Sequence, residues 1–396
     1  MGEVRDVNTG KERIYTESLD VLVENVKEKS SSREPSCVPI CGFTSSGKST
    51  IAKKLCESLH RSGVPLPYEQ STGAPVVIEM DMFYRNDTSE IANSLGGNFD
   101  HPFLIDTDEV SRLVSKIKEG RIERFYMPVY SFKEGRRVGK RGPFKVPKNA
   151  VILVEGLYAL NSLKEMSDLS IYVESSPLEL VARRIIRDME RTSLSPEQIL
   201  EVLSIANTTY RIYGEKQKYD ADMIYRNAYE ILKDKGNISF QTKIPLENSK
   251  VKDLYRSLKR RKKVEFEDVV VKERENGNAS TKILRGRTFW ENKRPEKFEL
   301  SYRELDGEKS VVTSYNLEMP PQAYTALILL SSSLNMPLQS YHRERETGKI
   351  RYGGEVLEGK VDLDKKWMEI SGKNKKTLTE LVRKLGVEPL RISYYD

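Results

Sequence analysis

Short apolar runs rich in β-forming residues alternate with segments of helical periodicity between residues 36 and 230. In chain order the runs are CVPICGF, APVVIEMD, AVILVEG, LSIYVE and ADMIYRN. Such strands are typical of a parallel sheet with helices on both faces, because each strand is buried from two sides. We therefore predict an α/β domain over residues 36–232.

The pattern changes after about residue 235, where strands of alternating polarity follow one another between turn residues. FEDVVVKER, KFELSYREL and KIRYGG are examples, and two helical segments, PQAYTALILLSSSLN and KKTLTELVRKLG, interrupt the series. This pattern predicts a second domain over residues 236–396, of α+β class and built on an antiparallel sheet or barrel. The polar residues 1–35 are predicted to form a flexible N-terminal extension.

The composition bears on location and partners. The net charge of +7 comes from 66 basic and 59 acidic residues, an excess too thinly spread to indicate nucleic acid as a partner. Three cysteines make no disulfide framework and favour a reducing compartment, with a packing role for each thiol. No apolar run is long enough for a membrane span, and the N-terminal stretch lacks the apolar core of a signal peptide. We expect a cytoplasmic protein with no membrane partner.

The loop between the first apolar run and the helix that follows fits the pattern G-x-x-x-x-G-K-[ST]. Glycines let successive backbone N–H groups face one anion at the helix N-terminus. Lys48 can reach the β- and γ-phosphates, and the Ser49 hydroxyl can ligate Mg²⁺. We therefore predict ATP and Mg²⁺ as cofactors. The residues predicted to bind the nucleotide are Gly42, Thr44, Ser45, Ser46, Gly47, Lys48, Ser49 and Thr50.

Two acids follow the next buried runs. Asp81 lies at the end of VVIEMD and Glu155 at the end of VILVEG, where open α/β sheets bind their ligands. Asp81 is predicted to be a catalytic base or metal ligand, with a helix N-cap as the alternative. Glu155 is predicted to act at the metal with Ser49, and an ion-pairing structural acid is its alternative.

The series GFTSSGKST, DMFY, NFDHP, MPVYSF, VILVEGLYAL, RRIIRDMER and KYDADMIY resembles the uridine kinase and phosphoribulokinase family over residues 36–230. The resemblance implies Asp81 as the general base toward a sugar hydroxyl, assisted by Lys48 and Glu155. It also implies an acceptor pocket and a lid that reaches the phosphates. The pocket residues are Tyr84, Asp100, His101 and Tyr130, and the lid residues are Arg184 and Arg187, for which a solvated helix face is the alternative.

The sequence departs from this family at the acceptor site. Uridine kinases usually carry a histidine shortly after P-x-Y, whereas SFKEGRR has none and places Gly135 near that position. The predicted lid contains only one further arginine, Arg191, after the R-D pair of RRIIRDMER. A missing hydrogen-bonding group can change specificity by a large factor. We therefore predict phosphoryl transfer to a small hydroxylated acceptor, with a nucleoside such as uridine or cytidine as the first candidate.

In the second domain, the period of two places arginines on common strand faces, as in KILRGR, KFELSYREL and LQSYHRERE. If these strands close into a barrel, the interior is basic and suits polyphosphate, with an ordinary solvated sheet face as the alternative. The acids expected to interleave with the arginines are Glu299, Glu344 and Glu358.

The segment GKVDLDKKWMEISGKNKKTLTELVRKLGV resembles the CYTH, or triphosphate tunnel metalloenzyme, family. A uridine-kinase-like domain followed by such a domain is similar to the two-domain plant members. The resemblance implies an eight-stranded antiparallel tunnel that binds a polyphosphate or nucleotide. The residues implied to bind phosphate are Lys243, Arg285, Arg287, Arg303, Arg343 and Arg345.

The family's E-x-E-x-K signature is reduced here to SFQTK at residues 239–243, and its later E-x-E pair to Glu369 and Ser371. Neutral groups are weaker Mg²⁺ ligands than carboxylates. We therefore interpret this domain as phosphate-binding or regulatory. Two alternatives stay open, a pyro- or triphosphatase and an ATP-binding regulator without turnover. The acceptor, any homo-oligomer and coupling between the domains also stay open. The basic run RSLKRRKKV is interpreted as a solvated helix, with a nucleic-acid signal as the alternative.

Overall fold

The computed structural model describes residues 2–5, 12–30, 34–192, 194–227, 238–272, 282–291, 294–305, 312–320, 323–336, 338–362 and 366–390. The chain divides into two compact units. The first comprises Met1–Ser175 and Val202–Tyr229, and the second comprises Ser176–Glu201 and Glu230–Asp396.

Ten strands and eight helices precede residue 227 in the described ranges. The strands are β1 (Gly2–Arg5), β2 (Glu12–Thr16), β3 (Ser36–Cys41), β4 (Tyr68–Glu69), β5 (Ile78–Glu79), β6 (Arg124–Ser131), β7 (Arg136–Lys145), β8 (Val151–Glu155), β9 (Ile171–Glu174) and β10 (Met223–Arg226). The helices are α1 (Leu19–Lys29), α2 (Lys48–Arg61), α3 (Thr88–Ser94), α4 (Thr107–Lys118), α5 (Ala159–Leu163), α6 (Pro177–Arg191), α7 (Pro196–Tyr213) and α8 (Lys216–Asp220).

The first unit is built on a seven-stranded sheet in the order β1-β2-β10-β9-β3-β8-β5. All neighbouring strands are parallel except β1 and β2. The five predicted apolar strands all lie in this sheet, so the predicted α/β class is confirmed. The carboxyl ends of β3, β5 and β8 meet at one edge, which brings the glycine-rich loop and both acids together.

The structure differs from the sequence prediction near the N-terminus. Strand β2 joins the sheet beside β10, with Ile14 opposite Met223. Helix α1 buries Val21, Leu22 and Val26 in the core of the unit. The prediction of a flexible extension is therefore wrong for residues 12–29, because the edge of β10 supplies a partner that the sequence pattern does not show. Residues 6–11 and 31–33 lie outside the described residues.

Strands β4, β7 and β6 form a separate three-stranded antiparallel sheet. The β6–β7 hairpin follows helix α4 in the chain and carries the predicted acceptor residue Tyr130 near its turn.

The second unit contains a closed eight-stranded barrel in the order β11-β15-β14-β13-β12-β16-β17-β18. The strands are β11 (Ile238–Pro245), β12 (Lys259–Lys272), β13 (Lys282–Glu291), β14 (Arg294–Leu305), β15 (Val312–Met319), β16 (Leu338–Tyr352), β17 (Glu355–Asp362) and β18 (Trp367–Gly372), and the helices are α9 (Ser249–Arg256), α10 (Ala323–Ser333) and α11 (Lys375–Leu385). All eight pairings are antiparallel, which confirms the predicted barrel. The basic run at 256–263 is not a helix throughout, because β12 begins at Lys259 with an irregular register.

The cysteines are buried within the first unit. Cys37, Cys41 and Cys56 are free thiols, and burial raises the pKa of each to about 12. A thiol with such a pKa is unreactive, which supports the predicted packing role. Within the described ranges, no helix has both the length and the apolar character needed to cross a bilayer.

Candidate active site

The glycine-rich loop connects β3 to α2 and has an unusual backbone. Positive φ angles occur at Gly42 (148°), Ser45 (61°) and Gly47 (92°). A Cβ added to Gly47 would lie 2.2 Å from Nδ2 of Asn227, which itself donates a hydrogen bond to the carbonyl of Ser46 at 2.8 Å. Only glycine fits there, and the curled loop ends at the N-terminus of α2, where N–H groups favour an anion.

Two polar contacts tie the loop to the sheet edge. The Lys48 Nζ donates to the Phe43 carbonyl at 3.0 Å, and the Ser49 Oγ donates to Oε1 of Glu155 at 3.0 Å. The structure therefore brings Lys48, Ser49 and Glu155 together, as the sequence predicted. Asn227, 181 residues from Ser46, was not identified from the sequence because no local pattern marks it.

Glu155 and Asp81 form an acidic pair at this edge. Burial and, next, the neighbouring carboxylate of Asp81 together raise the pKa of Glu155 to about 7, while Lys48 and Ser49 oppose the shift. Asp81 lies within a one-turn 3₁₀ helix, Met80–Phe83, whose N-cap is Glu79, so the alternative of a helix N-cap for Asp81 is wrong. Two carboxylates beside a hydroxyl make a set of hard oxygen donors that fits Mg²⁺.

Two of the predicted acceptor residues lie in an aromatic cluster. The ring centroid of Tyr84 is 5.1 Å from that of Tyr130 and 5.9 Å from that of Phe132. The Tyr84 hydroxyl donates to the Phe99 carbonyl at 2.6 Å. Phe132 remains exposed, so the cluster presents an aromatic face to solvent.

The other two acceptor residues are held by backbone contacts. The Asp100 carbonyl accepts a hydrogen bond from Tyr158 at 2.7 Å. His101 is buried, and its Nδ1 accepts from the backbone N–H of Phe103 at 3.3 Å. Burial lowers the pKa of His101, so the imidazole that caps this turn is neutral. A role for Asp100 and His101 toward the acceptor stays a prediction.

The predicted lid arginines lie on α6, which begins with a capping box formed by Ser176 and Glu179. Arg184 and Arg187 both pair with Asp188, the latter through its Nε at 2.7 Å. Although burial alone would raise it, the pKa of Asp188 is lowered by these two guanidinium groups. Arg184 is buried, which excludes a solvated helix face for it. Contact with the phosphates stays a prediction.

Arg137 is a residue that the sequence did not single out. Its guanidinium donates to the carbonyl of Tyr84 at 2.7 Å, to that of Phe83 at 3.1 Å, and to Oε2 of Glu109 at 2.7 Å. These contacts fasten the β6–β7 hairpin to the segment that carries Asp81. The only sequence signal was the pair of arginines in SFKEGRR, which does not tell them apart.

We expect Arg137→Ala to lower kcat about 10-fold to 100-fold with any accepted substrate, because a loosened 3₁₀ turn misplaces Asp81. Steady-state kinetics should show an unchanged KM for ATP. The neighbouring Arg136 is the matched control, since it is 63% exposed and pairs with Glu134. Equal losses in Arg137→Ala and Arg136→Ala would contradict the assignment.

The barrel interior collects most of the predicted phosphate-binding residues. Arg285, Arg287, Arg303 and Arg345 are buried, whereas Lys243 and Arg343 are half-buried. This burial excludes an ordinary solvated sheet face for the four arginines. Burial and the positive charges of Arg345 and Arg303 together lower the pKa of Lys243 to about 8. The negative charge of the nearby Glu369 opposes this shift.

Buried acids neutralise part of this charge. Asp268 accepts two hydrogen bonds from Arg287, at 2.6 and 2.7 Å, and Glu299 accepts one from Arg285 at 3.0 Å. Glu369 lies 3.8 Å from Arg345 and 3.9 Å from Lys360.

The expected set of acids needs correction. Glu344 pairs with Lys263 on the outside of the barrel, because it alternates with Arg343 and Arg345 along β16. Glu358 is half exposed and pairs with Lys360 at 3.0 Å. Asp268 was missed, since its neighbours in FEDVVVKER gave no sign of an inward carboxylate. Within the described residues, no cluster of three or more His, Cys, Asp or Glu could hold a metal by itself.

The first part of the chain is similar to proteins of a known family. Residues 37–231 match the model of the Phosphoribulokinase / Uridine kinase family. The uridine kinase of Macrococcus caseolyticus is 29% identical over 191 residues, which cover 47% of this chain and 85% of that protein. A putative fructose transport system kinase from Silicibacter sp. has a solved structure with 21% identity and a TM-score of 0.41, covering 52% of this chain and 98% of that chain.

A second relative is a larger plant protein. The inorganic pyrophosphatase TTM2 of Arabidopsis thaliana is 31% identical over 177 residues, which cover 44% of this chain and 23% of that protein. This similarity and the observed barrel fit the predicted order of a kinase domain followed by a tunnel domain. The family match and the geometry around Lys48 and Ser49 agree that residues 37–231 form a P-loop domain similar to the phosphoribulokinase / uridine kinase family.

Proposed function

We propose that the first unit transfers the γ-phosphoryl group of ATP to the hydroxyl of a small acceptor, with a nucleoside such as uridine or cytidine as the first candidate. The observation that carries the proposal is the group formed by the glycine-rich loop, the Ser49–Glu155 hydrogen bond and the adjacent Asp81. The uridine kinases among the relatives support a nucleoside.

In this mechanism the loop binds and orients the triphosphate, and Lys48 leaves the Phe43 carbonyl to contact the phosphate oxygens. Ser49 and Glu155 would hold Mg²⁺, which would supply positive charge beside the phosphates. Asp81 accepts the proton of the attacking hydroxyl. Positioning and charge stabilisation supply most of the rate, because phosphoryl transfer needs little covalent participation by the protein.

In this proposal, the base or sugar ring of the acceptor packs against the aromatic cluster of Tyr84, Tyr130 and Phe132. Gly135 leaves no side chain where uridine kinases usually have histidine, and a Cβ there would lie 2.0 Å from Oγ of Ser89. We therefore expect selection among pyrimidine and other nucleosides to be weak.

An acceptor screen on the full chain tests the proposal. ADP release should rise above the no-acceptor rate with at least one nucleoside or sugar phosphate. Tight ATP binding without product from any acceptor would instead favour an ATP-binding regulator.

Glu155 makes the fold sensitive to pH. Its pKa of about 7 lies above the ordinary 4.5, so ionisation costs the folded state more stability as pH rises from 4.5 to 7. Glu155→Gln should therefore raise the melting temperature relative to wild type, with a gain that grows over this range and levels off above about pH 7. Thermal unfolding in EDTA without nucleotide measures it. A gain that is the same at pH 5 and pH 8 would contradict this account.

A second candidate is hydrolysis of inorganic pyrophosphate or triphosphate, favoured by the plant relative named a pyrophosphatase and by the cationic barrel. We propose that the barrel binds phosphate compounds rather than hydrolysing them, because Ser239 and Gln241 occupy the positions of the two glutamates in E-x-E-x-K. Phosphate release from pyrophosphate by a full-chain Asp81→Asn variant would reverse that order. We also propose a cytoplasmic location, supported by the free buried cysteines.

If the barrel binds phosphate compounds, inorganic triphosphate should stabilise it. The tryptophans are Trp290 and Trp367, both in barrel strands, and the Lys243 Nζ lies 4.3 Å from the Trp367 ring. Inorganic triphosphate should raise the free energy of unfolding, followed by tryptophan fluorescence, by about 2.7 kcal/mol at a hundredfold excess over Kd. The rise should persist in EDTA and shrink in Arg303→Ala. A rise that requires Mg²⁺ would favour the hydrolase.

A further inference from the structure

The positive charge of the chain is concentrated in one region. Residues 121–148 contain nine lysines and arginines against two glutamates, a net charge of +7 that equals the net charge of the whole chain. This region spans the β6–β7 hairpin and its flanks.

About half of these cations are already neutralised. Four of them pair with glutamates: Arg121 with Glu119, Arg136 with Glu134, Arg137 with Glu109, and Arg141 with Glu69. The remaining five form no ion pair or side-chain hydrogen bond with any residue that the structure describes. They are Arg124, Lys133, Lys140, Lys145 and Lys148, of which only Lys145 is half-buried and the rest are exposed.

The strand register places several of these groups on one face. Arg124 and Tyr126 are exposed on β6, whereas the intervening Phe125 is buried against Phe144. Lys145 lies opposite Arg124. Directly opposed residues point to the same side of an antiparallel pair, so these side chains share the solvent face.

Lys140 is exposed and lies opposite Pro128, which alternation along β6 places on the side of Arg124, although Pro128 itself is buried and the register of the hairpin shifts between Phe125 and Met127. Tyr126 is 56% exposed on the same face of β6 as Arg124. The face thus combines cations with an open aromatic ring.

We infer that the solvent face of the β6–β7 hairpin binds single-stranded nucleic acid. Cations spaced along a strand match a phosphate backbone, and an aromatic ring beside them offers a surface on which an unpaired base can stack. A single strand fits better than a duplex, because duplex bases are stacked on one another and cannot reach Tyr126. The inference is independent of the kinase proposal.

Fluorescence anisotropy of the full chain with a labelled oligouridylate of about 20 nucleotides tests the inference. With Arg124, Lys140 and Lys145 engaged, log K against log salt should have a slope of about −2, since each neutralised phosphate of a single strand contributes about −0.7. The double variant Arg124→Ala/Lys140→Ala should reduce the slope to about one third. Tyr126→Ala should weaken binding about tenfold at unchanged slope.

The matched control removes the same charge from another basic segment. Lys259 and Lys262 are exposed at the start of β12, and Lys259→Ala/Lys262→Ala should keep wild-type affinity. Three results would overturn the inference. They are no binding at low salt, equal loss of affinity in the control, and capture by vesicles of anionic lipid while the oligonucleotide stays free. Unchanged melting temperatures establish that the substituted proteins are folded.

Discussion

Asp81→Asn is expected to lower kcat by about 10²- to 10⁴-fold in the full chain while ATP binds as before. The amide keeps the size of the carboxylate but cannot accept the proton of the attacking hydroxyl. Asp81 lies on the sheet edge beside Glu155, so its loss should also lower the pKa of Glu155, which its charge raises. Steady-state ADP formation with the best acceptor and calorimetric ATP titration provide the two measurements.

The control for this variant is Asp87→Asn, which changes an exposed carboxylate six positions away. It should retain wild-type kcat, because the Asp87 side chain is exposed and makes no capping hydrogen bond at the N-terminus of α3. A kcat of Asp81→Asn within a few-fold of wild type would remove Asp81 as the base and leave Glu79 or Glu155 to be tested. A loss of ATP affinity in parallel with kcat would instead assign Asp81 to nucleotide and metal binding.

Asp268→Asn is expected to destabilise the barrel by about 3–5 kcal/mol, because it leaves the buried guanidinium of Arg287 without its counter-charge. Asp268 is fully buried and accepts both hydrogen bonds from Arg287, while Arg285 lies 4.0 Å away. Urea unfolding followed by tryptophan fluorescence isolates this effect, since both tryptophans lie in the barrel.

The exposed pair of Lys263 and Glu344 is the matched control, because its partners are 59% and 44% exposed. Glu344→Gln should lower the free energy of unfolding far less than Asp268→Asn, because water screens an exposed ion pair. A similar cost in both variants would mean that the interior acid does not balance the arginines, and that solvent or an anion does.

The same site has a defined pH dependence. Burial alone would raise the pKa of Asp268, but Arg287 and Arg285 hold it well below the ordinary 3.8. A depressed pKa stabilises the folded state above pH 3.8, and this contribution is lost as pH falls below that value. The difference in stability between wild type and Asp268→Asn should therefore shrink at acidic pH.

Local patterns in the sequence were sufficient to predict the main strands and the glycine-rich loop between β3 and α2. The curl at Gly42 and Gly47 follows from glycine itself, because only glycine adopts those φ angles without strain. The buried runs ending at Cys41 and Glu155 follow from burial on two faces. The arginines of KILRGR point inward because side chains alternate along a strand. Each of these properties is set within a few residues.

The partners of these groups were decided by the tertiary structure. Arg137 meets Tyr84 across 53 positions, and Ile14 meets Met223 through a strand pairing that no local pattern indicated. Asp268 faces Arg287 only because β12 and β13 pair in one register. A shift of one residue would turn that carboxylate to the other face of the sheet. Periodicity determines which residues are buried, whereas register and strand order determine what they touch.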